Sequence, residues 1–129
     1  FTACPLHDVL WYAIRDLLQA MSLPPVVRKW FVLYGPESVH VPPGRYRSVL
    51  MVWATLVAVM QEARASYRPD STRTMQPQGC LRMFWSTLMT ICRIDRQLSG
   101  DHPHGESRWA HRWHGFVRKM GPRYVYYCE

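Results

Sequence analysis

Residues 49–60, VLMVWATLVAVM, constrain the fold more than any other stretch, because eleven of these twelve residues are apolar. A helix needs about 20 apolar residues to cross a bilayer, and charged Arg45 and Arg47 precede this run while Glu62 and Arg64 follow it. The run is therefore too short to span a membrane unaided. A helix that is apolar on every side is normally enclosed by its neighbours, so we expect the central helix of a bundle. The alternative is that one face of this helix lies partly exposed.

Proline and glycine divide the remaining chain into segments in which apolar residues recur at helical spacing. No segment alternates apolar and polar residues for long, as a half-buried strand would. The pattern predicts an all-α fold, a single-domain, up-and-down bundle of about five helices. The predicted helices lie near residues 5–21, 25–34, 43–67, 78–98 and 106–120, and a short extended tail, PRYVYYCE, follows them.

The charge of the chain indicates what kind of partner it binds. A formal net charge of +7 over 129 residues favours an anionic partner, such as an acidic glycoprotein or lipid headgroups. Only Lys29 and Lys119 among the 16 basic residues are lysines. Arginine is weakly hydrated and stacks on aromatic rings, so it suits interfaces. We expect no nucleic-acid partner, because the sequence contains no helix-turn-helix and no RNA-binding motif.

The cysteines and the first residue favour a secreted protein. The chain begins at Phe1 rather than Met, as a mature protein does after signal-peptide removal. An even count of four cysteines fits an oxidising compartment, although four buried reduced thiols would also fit.

Helical geometry limits how these cysteines can pair. Cys80 and Cys92 are twelve residues apart on one predicted helix, hence about 18 Å apart, whereas a disulfide requires Cα atoms within about 7 Å. Two bridges would be either Cys4–Cys80 with Cys92–Cys128 or Cys4–Cys92 with Cys80–Cys128. The first is favoured, because the starts of the first and fourth segments are neighbours in an up-down bundle. A single Cys4–Cys128 bridge is also open.

No arrangement of residues predicts catalysis, a cofactor or a metal site. No serine stands in a Gly-x-Ser-x-Gly setting, and no Cys-x-x-Cys or His-Glu-x-x-His motif occurs. We expect Asp95, the one acid at a semi-buried position, to pair with Arg93, with Arg96 or with an arginine of a neighbouring helix. We expect solvated side chains at the four clustered histidines, which are His102, His104, His111 and His114. The sequence therefore predicts a protein that is not an enzyme.

Cations and aromatic residues lie on adjacent faces of the fifth segment. Arg108, Arg112 and Lys119 follow one helical face, and the neighbouring face carries tryptophans. A helix at a membrane interface has this pattern, with cations for headgroups and Trp for the boundary. An ordinary amphipathic bundle helix with solvated cations would have the same pattern.

The membrane interpretation assigns two sets of residues. Headgroups or another anionic partner would contact Arg45, Arg47, Arg64, Arg68, Arg108, Arg112, Arg118, Lys119 and Arg123. The exposed members of an apolar set would enter the boundary, and that set is Trp109, Trp113, Phe116, Met120, Val125 and Tyr126.

Four stretches from about Val26 onward, VVRKWFVLYG, VWATLVAVM, CRIDRQL and PRYVYY, carry a resemblance to a known family. In order and spacing they are similar to the abalone sperm lysin family, most of all to the fusogenic acrosomal paralogue of lysin. The resemblance implies a five-helix bundle stored in the sperm acrosomal vesicle and secreted from it. It implies that lysin dissolves the egg vitelline envelope without enzymatic activity, by stoichiometric binding to its glycoprotein, and that the paralogue fuses membranes.

Three differences from lysin help to decide which of these two activities the chain has. The chain has four cysteines, uses arginine where lysin uses lysine, and carries more Trp, Met and Val. The last two departures favour the paralogue, because apolar surface beside strong cations suits a membrane. We therefore expect a non-enzymatic acrosomal protein that binds and perturbs anionic membranes and promotes sperm–egg fusion. The alternatives are a lysin-like protein that binds an egg-surface glycoprotein, or a secreted helical cytokine; a homodimer is also open.

Overall fold

The computed structural model describes residues 5–65 and 76–128. Five helices and one small sheet make up this part of the chain, so the predicted mainly α-helical, single-domain bundle is confirmed. The helices are α1 (Pro5–Ala20), α2 (Arg28–Tyr34), α3 (Tyr46–Ala65), α4 (Pro77–Ser99) and α5 (Gly105–Arg112). A 3₁₀ turn (Gly35–Ser38) follows α2, and strands β1 (Val117–Met120) and β2 (Arg123–Tyr126) follow α5.

Helices α1, α3 and α4 form the centre of the bundle. The start of α3 and the end of α4 meet where Arg47 pairs with Asp95, as expected for antiparallel neighbours. The apolar stretch at 49–60 lies in α3 and buries a stripe of Val49, Val52, Leu56, Val59 and Met60. Its opposite side is open, because Leu50, Ala54 and Ala58 are exposed. The stretch is thus a central helix that leaves one face partly exposed.

The prediction of one helix over 106–120 is wrong beyond residue 112, where α5 ends. The chain turns at Gly115, whose φ is +97°. A Cβ atom on this residue would lie 2.4 Å from the carbonyl oxygen of Ala20. Only glycine fits such a close approach with a positive φ. The chain then forms an antiparallel hairpin in which Val117 pairs with Tyr126 and Met120 with Arg123. Gly121 and Pro122 form the turn.

The hairpin returns along α4 toward the beginning of that helix. The Arg96 guanidinium lies 4.8 Å from the ring of Tyr124, and the Arg93 guanidinium lies 5.3 Å from the ring of Tyr126. Tyr127 then contacts Trp85 at 5.5 Å between ring centroids. The tail therefore runs antiparallel to α4 and contacts it from Arg96 back to Trp85.

The preferred pairing of Cys92 with Cys128 is wrong, because no disulfide joins Cys80, Cys92 and Cys128 to one another. Cys92 lies at the level of α5, where its carbonyl accepts a hydrogen bond from Trp109, whereas the tail has passed Trp85 before it reaches Cys128. Burial, and secondly the charge of Asp95, raises the pKa of the Cys92 thiol. The pairings that involve Cys4 lie outside the described residues.

Candidate functional site

Most of the apolar set predicted to enter a membrane faces the core instead. Trp109, Trp113 and Phe116 are fully buried, and Tyr126 is almost so. The indole N–H groups explain this orientation, since that of Trp109 donates to the Cys92 carbonyl at 2.9 Å and that of Trp113 donates to Asp95 at 2.8 Å. Val125 is half-buried and Met120 is exposed. The prediction that this apolar set enters a membrane is therefore wrong for four of its six residues.

Arg45, predicted to contact headgroups, is a buried structural residue. Its guanidinium donates to the carbonyl of Met21, just after α1, and to that of His114, just after α5. Burial lowers the pKa of this guanidinium. Arg45 thus joins the ends of two helices and is withdrawn from any partner surface.

Arg112 and Arg47 are held by the buried carboxylate of Asp95. Arg112 lies 2.6 Å from one carboxylate oxygen and Arg47 lies 3.2 Å from the other, while Trp113 donates to Asp95 as well. The prediction of an ion pair with an arginine of a neighbouring helix is confirmed, with partners on α3 and α5. Arg112 is mostly buried, and Arg47 keeps about half of its side chain exposed.

The other predicted cations that the structure describes lie at three separate places. Arg64 is exposed near the end of α3 and Arg108 on α5, while the hairpin exposes Arg118, Lys119 and Arg123. Arg68 lies outside the described residues. The four histidines are exposed, and within residues 5–65 and 76–128 no group of three or more His, Cys, Asp or Glu is placed to hold a metal ion.

Among the described residues, α2 carries the largest group of exposed apolar side chains beside a cation. The side of this helix that faces solvent carries Leu33, Tyr34 and Trp30, which are 62%, 57% and 44% exposed. Val27, just before the helix, is exposed beside them. The only charged residue on this side is Lys29, because the other exposed positions between 27 and 34 are apolar. We call Val27, Lys29, Trp30, Leu33 and Tyr34 the α2 face.

Ring contacts order the side chains of the α2 face. Trp30 and Tyr34 stack with their centroids 5.9 Å apart and their planes inclined by 23°. The Lys29 ammonium lies 4.6 Å from the centroid of the Trp30 ring. The face therefore presents two stacked aromatic rings with a cation over one of them, a combination that suits the boundary between hydrocarbon and water.

Contacts on the inner side of α2 hold this face in place. Phe31 is fully buried and packs on Trp11 of α1, with ring centroids 6.2 Å apart. Trp53 of α3 donates its indole N–H to the carbonyl of Val32 at 3.1 Å. Arg28 pairs with Asp8 of α1 at 2.6 Å. Because α1 and α3 both anchor the helix, its exposed side chains are presented on a rigid support.

A groove separates α2 from α3 and adjoins the α2 face. It holds about 360 Å³. Its walls are Val32 and Leu33 of α2 and Val57 and Met60 of α3. Three cations and one amide also line it: Arg28, Lys29, Arg64 and Gln61. The groove is thus apolar inside and cationic around its rim.

No known family matches this chain. Neither a family model, nor a curated protein, nor a solved structure is significantly similar to it. The resemblance to the lysin family therefore stays a prediction. Among the described residues no helix combines the length and the hydrophobicity that a membrane span requires.

The sequence contains a pattern that indicates an exposed apolar surface on α2, although the cations and tryptophans of the fifth segment form the more conspicuous pattern. Residues 30–34, WFVLY, are five consecutive apolar or aromatic residues, and they lie just after Lys29. Five consecutive helical positions point in all directions around the axis. A helix of seven residues at the edge of a bundle has one buried side, so part of this run had to face outward.

Proposed function

We propose that this protein is a non-enzymatic, membrane-binding protein that adsorbs to anionic membranes through the α2 face and perturbs them. The observation that supports this is the α2 face itself, with three large exposed side chains around one lysine and no acidic residue between positions 27 and 34. Tryptophan and tyrosine favour the headgroup level of a bilayer, and a lysine keeps its charge in the headgroups while its stem is buried.

The expected affinity is moderate, which suits reversible adsorption. Full burial of an exposed large apolar side chain contributes about 1.5–3 kcal/mol, and Trp30, Leu33 and Tyr34 are each about half exposed before binding. Each cation near an anionic leaflet adds about 1 kcal/mol. The sum resembles that of a single lipid anchor, which gives only marginal, reversible membrane binding.

A contact between two copies of the α2 face is less favourable than a lipid contact. In a two-fold dimer the same patch meets itself, so two copies of Lys29 would enter one interface in which the face offers no acidic residue to pair with them. Like charges close together oppose association, whereas anionic headgroups would be attracted to both the lysine and the net charge of +7.

The biological setting belongs to the same proposal. From the resemblance to the lysin family we propose that the protein is stored in the sperm acrosomal vesicle, is secreted, and promotes fusion of sperm and egg membranes. The formal charge and the α2 face support a membrane partner over the glycoprotein of the egg envelope, because hydrocarbon provides a place for Trp30 and Leu33. Isolated egg envelopes should therefore bind less protein than anionic vesicles of equal surface area.

Vesicle binding tests this function directly. Vesicles that contain phosphatidylserine should bind the protein at low salt and release it at high salt, and pure phosphatidylcholine vesicles should bind it weakly. Substitution of Trp30 and Tyr34 by serine should lower the affinity at least tenfold, since two boundary side chains are lost. The matched control is Ile94→Ser with Leu98→Ser, which removes two exposed apolar side chains from α4.

Brominated lipids locate the bound surface. Trp30 is the only exposed tryptophan of the six, all of which lie among the described residues. Brominated acyl chains should quench the fluorescence of the bound protein, and Trp30→Phe should remove most of this quenching while the protein still binds. The proposal fails if the vesicles do not bind, or if the α4 control loses as much affinity as the α2 variant.

A further inference from the structure

The groove between α2 and α3 has the chemistry of a site for an amphiphile. Its interior is formed by Val32, Leu33, Val57 and Met60, and none of the acidic residues that the structure describes lines it. Cations border it from both helices, with Lys29 on α2 and Arg64 on α3. An apolar interior with positive charge at the rim is complementary to a molecule that has a hydrocarbon tail and an anionic head.

We propose that this groove takes up the acyl chain of one anionic membrane lipid, whose headgroup then lies against Lys29 and Arg64. The inference rests on the proposed function, since it deepens the way in which the α2 face acts on a membrane. Leu33 belongs to both the α2 face and the groove, so a protein adsorbed through α2 has the opening of the groove beside the headgroups.

The size of the groove favours a single chain. Small-molecule pockets in proteins span about 300–1,000 Å³, and a groove of about 360 Å³ lies at the lower end of that range. A two-chain lipid would not fit whole, and an amphipathic partner helix needs a longer surface to place residues at successive turns. One acyl chain is narrow and flexible enough to follow the space between Val32 and Val57.

The cations at the rim of the groove differ in how far other groups of the protein already neutralise their charge. Arg28 forms an ion pair with Asp8 at 2.6 Å, so its charge is partly neutralised. Lys29 lies against the Trp30 ring, a contact that leaves its charge in place. A headgroup phosphate is therefore expected to be drawn to the Lys29 end of the groove, and Arg64 lines the groove on the α3 side.

Uptake of a chain explains how adsorption perturbs a bilayer. A chain that leaves the leaflet exchanges one apolar environment for another, so its transfer has little hydrophobic cost. The leaflet then has a packing defect under the protein. Such a defect is a starting point for the lipid mixing that fusion requires.

Binding of a soluble single-chain lipid tests the groove without any membrane. The probe is oleoyl lysophosphatidic acid below its critical micelle concentration, titrated into the full chain by calorimetry. We expect one molecule per protein. Oleoyl lysophosphatidylcholine has the same tail without net charge, and it should bind at least tenfold more weakly.

Two variants test the two ends of the site. Val57→Trp fills the groove from α3 and should weaken binding of the anionic lysolipid at least tenfold, with the circular dichroism spectrum unchanged. If that variant fails to fold, Lys29→Gln with Arg64→Gln should reduce the affinity for the anionic lysolipid to that for the zwitterionic one. Unchanged binding by the variants, several lipids per protein, or equal affinity for both lysolipids would overturn the inference.

The failure of this inference can be distinguished from the failure of the proposed function. Trp30 and Tyr34 do not line the groove. The variant in which both are serine should therefore lose its affinity for vesicles and keep its affinity for the lysolipid. Val57→Trp should show the reverse pattern, with vesicle affinity within about threefold of the wild type. A variant pair that loses or keeps both activities together contradicts the assignment of two separate contacts.

Discussion

At the scale of single residues, Asp95 connects three helices through one buried carboxylate. Arg112 of α5, Arg47 of α3 and the Trp113 indole all approach it, while Asp95 itself is 1% exposed. A buried carboxylate is stable as an anion only when charges and hydrogen bonds compensate it. Asp95 therefore determines that Arg112 and Trp113 turn inward, away from any membrane.

Loss of this carboxylate should be costly. Asp95→Asn keeps the shape and an acceptor for Trp113, but it leaves the mostly buried Arg112 without a counter-charge. Removing one partner of a buried ion pair costs about 3–5 kcal/mol, and we expect a loss of about 3 kcal/mol in the free energy of unfolding, measured with urea.

The exposed pair between Arg96 and Glu106 is the control for that measurement. Its atoms lie 2.6 Å apart, as close as those of Arg112 and Asp95, but both side chains are about half exposed. Exposed pairs contribute about 0–1 kcal/mol, so Glu106→Gln should change stability by less than that. Equal losses in the two variants would mean that burial of Asp95 does not decide the effect.

At the scale of elements, the sequence predicts regular helices well and fails where the chain changes direction. The predicted helices at 5–21 and 78–98 agree with α1 and α4 within one residue at each end, because their apolar residues recur at helical spacing over several turns. Trp109, Trp113, Phe116 and Met120 have similar spacing, yet the first two lie on or next to α5 and Met120 lies on a strand.

Gly115 and the Gly121–Pro122 pair were the signals against that helix, since glycine and proline interrupt helices. The site could not be predicted in the same way. Which side of the short α2 is buried depends on where α1 and α3 lie, and therefore on the packing of Phe31 against Trp11. Periodicity over seven residues cannot supply that information, so the exposure of Trp30 and Leu33 emerges only from the tertiary structure.

The end of α2 depends on a glycine that no other residue can replace cheaply. Gly35 has a φ of +62°, and a Cβ atom there would lie 2.6 Å from the ring of Trp53. The ψ of Gly35 is −136°, so its backbone lies outside the left-handed helical region, in a conformation that essentially only glycine adopts. Gly35→Ala should therefore cost about 1–3 kcal/mol for the backbone conformation and about 1–3 kcal/mol for overpacking. Thermal unfolding should show the loss, and displacement of Trp53 from the Val32 carbonyl should weaken vesicle binding as well.

Gly121→Ala separates these two costs. Gly121 also has a positive φ, of +63°, but no atom lies within 4 Å of the position that a Cβ would take. This variant should lose only the backbone contribution and should bind vesicles as the wild type does. If Gly35→Ala were no more destabilising than Gly121→Ala, Trp53 would have to move aside without cost, and the rigid support of α2 would be refuted.

At the scale of the whole molecule, a protein that promotes fusion must contact two membranes. The α2 face is supported by α1 and α3, whereas the hairpin is supported by α4 and α5 through Tyr127 and Tyr124. The hairpin exposes Arg118, Lys119 and Arg123 together with Met120. Under the proposed function, these cations would hold a second anionic surface while the α2 face occupies the first.

This arrangement predicts that binding and bridging of vesicles can be separated. Replacement of Arg118, Lys119 and Arg123 by glutamine should leave binding to a single layer of immobilised vesicles within about threefold. It should strongly reduce vesicle clustering, measured by light scattering, and the lipid mixing that follows. The reason is that the α2 face is intact while the second set of cations, each worth about 1 kcal/mol at an anionic surface, is gone.

A variant with the same loss of charge elsewhere makes this prediction specific. Arg15, Arg82 and Arg108 are exposed on α1, α4 and α5, and their replacement by glutamine lowers the formal charge by the same three units. If the hairpin is the second contact, this variant should cluster vesicles almost as the wild type does, because long-range attraction falls off within a Debye length of about 8–10 Å. Equal loss of clustering in the two triple variants would show that total charge alone brings vesicles together, and the hairpin would then have no part in bridging.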